Sequence, residues 1–124
     1  MANVSSPVQF IGGREPTVTV TNTTDTQAAA IANHTLAGGL NIVTVLAANG
    51  MVALPTLPAG SVVLLTSTVA TQTIKVYPPV GGTISGTNLA GTLNAAVTLA
   101  AQGGAMFMAL GSAGGADFHR VTVA

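Results

Sequence analysis

Between Thr26 and Ala116 the chain carries one charged side chain, Lys75, and this poverty of charge constrains its fold more than any motif does. The 124 residues hold only Arg14, Glu15, Asp25, Lys75, Asp117 and Arg120 as charged groups, against 48% hydrophobic residues. A folded monomer of this length exposes roughly 6,000 Å². That leaves about one charge per 1,000 Å², where an average domain of this length carries about 31 charged residues. The surface must be built from Thr, Ser, Asn, Gly and Ala, or be covered by other protein. We read this as the mark of an obligate assembly.

The same numbers exclude several functions. Net charge is zero, so nothing supplies the basic footprint that nucleic-acid binding requires. The most apolar stretches, 40–46 and 61–65, fall far short of the ~20 residues of a membrane span. The opening Met-Ala-Asn-Val-Ser-Ser-Pro lacks the basic and apolar regions of a signal peptide, so synthesis and assembly are expected in a cytoplasm. Cysteine is absent, which suits a reducing compartment and a robust extracellular particle equally. The sequons at Asn22 and Asn33 carry little weight in a chain that is not secreted.

Residues 1–16 read as an extended N-terminal arm, punctuated by Pro7, Gly12-Gly13 and Pro16, and residues 17–124 as a single β-domain. Thr17–Thr21 alternates with period two, the signature of a half-buried strand. Gln27–Ile31 allows a short helix, stopped by Asn33 and Gly38-Gly39. Beyond it the chain is β-rich. Leu40–Ala47 leads into Asn49-Gly50, a strong hairpin signal, with Met51–Leu54 expected to return antiparallel. Ser61–Ser67, Thr71–Tyr77, Thr83–Ser85, Ala95–Leu99, Ala105–Leu110 and Phe118–Val123 follow, with turn residues roughly every ten positions. This spacing predicts an all-β fold, an antiparallel sandwich or barrel of jelly-roll type.

Two of these strands do not alternate. Val62–Leu65 and Met106–Leu110 are apolar at successive positions, so both faces of each should be covered. Either they are central strands between two layers, or one face is core and the other a subunit interface.

Catalytic chemistry has few candidates. His34 and His119 are the only histidines, and Asp117-Phe118-His119 is the only close pairing of an acid with an imidazole. On a strand the two would share a face, as a base and its orienting group or as metal ligands do, but two ligands do not make a zinc site. The cluster Gly81–Gly86 lacks the Gly-Lys-Ser/Thr ending of a phosphate loop. No catalytic, cofactor-binding or metal site is assigned, and no small-molecule substrate.

The segments Leu57-Pro58-Ala59-Gly60-Ser61, Ile74–Pro79, Gly82–Gly86 and Ala96–Ala101, followed by Ala105-Met106-Phe107, together resemble a family of small structural proteins of tailed bacteriophages. The resemblance covers about residues 27–124 and lies mostly in turn and core positions. Members of that family usually carry a Trp near the final strand, where this chain has Phe118-His119-Arg120. The resemblance implies a capsid decoration or cement protein, homotrimeric, bound to the major capsid protein on the outer surface of the virion. The alternative it leaves open is a head-fibre or tail-tip adhesive, receptor-binding domain. On this basis Phe10, Arg14 and Glu15 of the arm are expected to contact the shell. Val63, Leu65, Met106 and Met108 are expected at the trimer interface.

Overall fold

The architecture depends on which sheet each successive strand joins. The computed structural model describes residues 17–21, 24–46, 50–68, 71–86 and 89–121, so the expectations for the arm, including Phe10, Arg14 and Glu15, lie outside the described residues. The strands are β1 (Thr17–Val20), β2 (Gly39–Val45), β3 (Gly50–Ala53), β4 (Val62–Ser67), β5 (Ile74–Tyr77), β6 (Ile84–Gly86), β7 (Leu89–Ala90), β8 (Val97–Leu99), β9 (Gly104–Ala109) and β10 (Phe118–Val121). One α-helix, α1 (Gln27–Asn33), lies between β1 and β2, and a single 3₁₀ turn spans Ala113–Gly115. A seven-stranded sheet runs β1-β2-β4-β9-β10-β6-β7, and a three-stranded sheet runs β3-β5-β8.

The expectation of an all-β antiparallel sandwich is therefore corrected to a mixed α/β arrangement. β1 with β2, β2 with β4, β3 with β5 and β6 with β10 are all parallel pairs. The physical reason is that the chain alternates between sheets. β2 belongs to the large sheet, β3 to the small one, β4 to the large one and β5 to the small one. Two reversals separate β2 from β4, and two separate β3 from β5, so each pair ends up parallel. β2 and β3 consequently lie in different sheets and form no hairpin, while Asn49 itself lies outside the described residues. Gly50 is needed instead for packing: it is buried, and a β-carbon placed on it would overlap Cγ1 of Val45.

One core cluster unites the sheets, with Val43, Val63, Phe107 and Phe118 from the large sheet meeting Val52, Ile74, Val76 and Leu99 from the small one. The largest fully buried side chains, Phe107 and Phe118, both come from the C-terminal part of the chain. A smaller cluster forms on the other side of β3, where Ala30 of α1 packs on Met51 and Ala53 with Ile31 and Tyr77 beside them. This explains why all four residues of β3 are buried: Val52 faces the core, while Met51 and Ala53 lie under the helix.

Helix α1 starts where Thr26 caps it, its hydroxyl accepting from the Ala29 N–H at 3.2 Å. It ends at His34, whose N–H still donates to Ala30 O and whose carbonyl already accepts from Ala53 N–H at 3.0 Å. Asn41 is fully buried on β2, an unusual place for an amide. Its Nδ2 donates to Ala37 O (2.9 Å) and Gly39 O (3.1 Å), and its Oδ1 accepts from Ala37 N–H (3.3 Å). The side chain thereby satisfies the backbone that turns into β2.

Candidate assembly surface

The inner face of the large sheet is covered by the small sheet, and α1 covers β3. The outer face of the large sheet has no such layer among the described residues. The register aligns its outward side chains in rows. Leu40 lies beside Leu64, Leu64 opposite Met106, and Met106 opposite Val121. At the spacing of neighbouring strands, this apolar row runs roughly 14 Å across β2, β4, β9 and β10. Leu40 and Leu64 are 42% and 41% exposed. On one side a second row contains Val62, Met108, His119 and Ser85, and on the other a third contains Ile42, Thr66 and Gly104. A groove of about 450 Å³ runs here, walled by Leu40, Leu64, Thr66, Met106, Val121 and Arg120. Gly104, with no side chain opposite Thr66, opens its floor.

The anticipated interface residues divide between the two faces. Val63 (0% exposed) and Leu65 (2%) point into the core and have no surface to offer a partner. Met106 and Met108 point outward and are partly exposed. The apolar run of β4 thus alternates after all, with Leu64 as its outward member. Leu40 and Val121 belong to the same row and were not singled out from the sequence. The usable signal was the single-residue alternation in 40–44, since Leu40 and Ile42 share the face that Asn41 and Val43 leave.

The polar clusters elsewhere are built as structural ties. Asp117 accepts from Ser112 Oγ (2.7 Å), Thr83 N–H (3.0 Å) and Thr83 Oγ1 (3.1 Å), joining the loop before β10 to the start of β6. The Ser112 hydroxyl, helped by the Thr83 donors, holds its carboxyl below the usual carboxylate range. Both carboxylate oxygens of Asp117 are engaged by Thr83 and Ser112, while His119 stands on the outer face between Met108 and Ser85. Among the described residues no group of three or more His, Asp or Glu is placed to hold a metal ion.

Asp25 forms an ion pair with Lys75 and accepts from Tyr77 Oη at 2.7 Å. The Lys75 ammonium, with the Tyr77 hydroxyl second, lowers the Asp25 pKa. Burial first, and then the Asp25 carboxylate, push the Tyr77 phenol up to about 12. Beside this cluster Gln27 of α1 donates to Pro78 O (2.8 Å) and to Asn94 Oδ1 (3.2 Å). The four contacts fasten α1 and its preceding loop to β5, to Pro78 just after it and to the loop before β8.

The fold and this surface define a mixed-sheet domain with one apolar sheet face that no described element covers. Compared with known protein families, with curated proteins and with solved structures, the chain matches none.

Proposed function

We propose that the chain is a virion structural protein, a capsid decoration protein that binds the outer surface of a tailed-phage head as a homotrimer and stabilises junctions between major capsid subunits. The observation that carries the assembly part is the open row Leu40–Leu64–Met106–Val121 on a chain with six charged residues. Apolar surface of this kind on a protein so poor in charge favours association. The phage-head part is supported by the resemblance in the turn and core segments from Leu57 to Phe107.

The physics of such a role is multivalent. An assembly that contacts several shell subunits at once gains strength through effective concentration, without needing a tight single contact. The test is the copy number of the chain in purified particles of the phage that encodes it. A fixed, stoichiometric ratio to the major shell protein is expected. A few copies per particle would assign it to a tail tip instead, and absence from the particle would end the proposal.

A further inference from the structure

We propose that the outer face of the large sheet, centred on Leu64 and Met106, docks on a second copy of this chain. This inference rests on the assembly role proposed above and names the surface that carries it. The first argument comes from the layers. The inner face of the large sheet lies on the core, and the described α-helix sits on β3 of the other sheet, so no described element covers the outer apolar row. Contiguous apolar surface of this kind marks an interaction site.

Charge identifies the occupant. The three outward rows contain no carboxylate, and Arg120, at the groove wall, makes no ion pair among the described residues. An ordinary protein surface, about a quarter charged, would desolvate several of its own charges on this face. A second copy brings fewer: of its four charged residues among those described, Asp25 is paired with Lys75 and Asp117 is held by Thr83 and Ser112, which leaves Arg120. The partly exposed Met106 and Met108 give the face the adaptability to pack on another apolar surface. The area also fits. The rows cover roughly 20 Å by 20 Å in projection. Protruding Leu and Met side chains bring the accessible area toward the ~600 Å² per partner at which weak specific interfaces begin. Association in the micromolar range is therefore expected.

The test measures mass by light scattering at micromolar concentration for the full chain and for Leu64→Glu, Met106→Glu and Thr98→Glu, the last at an exposed position on β8 of the small sheet. Wild type and Thr98→Glu are expected at two or more times 12.1 kDa, and the two groove variants at 12.1 kDa with unchanged far-ultraviolet circular dichroism. A wild type that stays monomeric, or groove variants that keep the assembled mass, would overturn the proposal. Should the Glu variants fail to fold, Leu64→Cys replaces them, since the chain has no cysteine of its own. Its thiol is expected to be protected from maleimide at high concentration and at least tenfold more reactive on dilution. A thiol equally reactive at all concentrations overturns the proposal. So does one protected in the monomer and exposed only when residues 2–16 are deleted, because the cover is then the chain's own N-terminal segment. Binding to undecorated shells is scored separately. An oligomer that fails to bind shells removes the decoration role and leaves this face assigned, and a monomer that binds them does the reverse.

Discussion

Gly50 packs against Val45 so closely that a β-carbon on Gly50 would overlap Val45 Cγ1, and it would also stand 3.3 Å from Cγ1 of Val20. The contact brings the start of β3 up against the end of β2, which it faces across the core rather than pairs with. Gly50→Ala is accordingly expected to destabilise the fold by about 1–3 kcal/mol through overpacking. Urea denaturation should show a lower midpoint with an unchanged slope. An unaltered or raised midpoint would mean that the Gly50–Val45 contact is looser than described.

Asn41 offers a test of buried polarity. Asn41→Leu keeps the branched heavy-atom shape, with somewhat more bulk, but leaves Ala37 N–H and the Ala37 and Gly39 carbonyls without the side chain that serves them. The loss is expected to be about 2–3 kcal/mol, because unsatisfied buried groups cost more than a single hydrogen bond contributes. Asn41→Asp, which keeps an acceptor for Ala37 N–H but loses the Nδ2 donors, should also be destabilised. A neutral Asn41→Leu would show that water replaces the amide.

Tyr77 is the only tyrosine, so ultraviolet absorbance reports its ionisation alone. The folded protein should titrate near 12 rather than near 10. Since the folded state prefers the neutral phenol, this stabilisation is full below pH 10 and is lost as pH rises through about 12. Asp25→Asn removes the neighbouring carboxylate and should bring the midpoint down part of the way, leaving the contribution of burial. A midpoint that does not move would separate Tyr77 from Asp25.

His34 predicts an acid limb. Burial lowers its pKa from 6.5, and its Nε2 is buried without a hydrogen-bond partner among the described residues. The unfolded chain takes up the proton more readily than the folded one, so stability is present above pH 6.5 and falls as pH drops through the lower folded value. The carboxylates of Asp25 and Asp117, also lowered, add a further loss only below about pH 3.8. Denaturation midpoints measured from pH 7 to pH 3 should fall in two stages for wild type. His34→Leu should flatten the first stage and retain the second.

Much of the strand content was legible in the sequence because period-two alternation and Gly/Pro punctuation are local signals. Thr17–Val20, Ser61–Ser67 and Phe118–Val121 were placed close to where they lie. Pairing was not legible. Asn49-Gly50 says that the chain turns, but a turn within one sheet and an arch across the core have the same local chemistry. The difference is set by Gly50 fitting under Val45, a contact between side chain and backbone that no window of sequence displays. The face of β4 was misjudged for a similar reason. Val62–Leu65 is uniformly apolar, and only the register with β9 reveals that Val63 and Leu65 fill the core while Leu64 does not.

The order of strands in the large sheet has a consequence for how the chain is made. β4 finds its neighbour β9 only after β5 to β8 have been synthesised, and β6 finds β10 later still. Phe107 and Phe118, which fill the centre of the core, therefore join it only after most of the domain's strands have been synthesised. Pairings of such long sequence separation form slowly, with apolar strands exposed meanwhile. A stop codon a few residues before Phe118 should release a product destined for degradation.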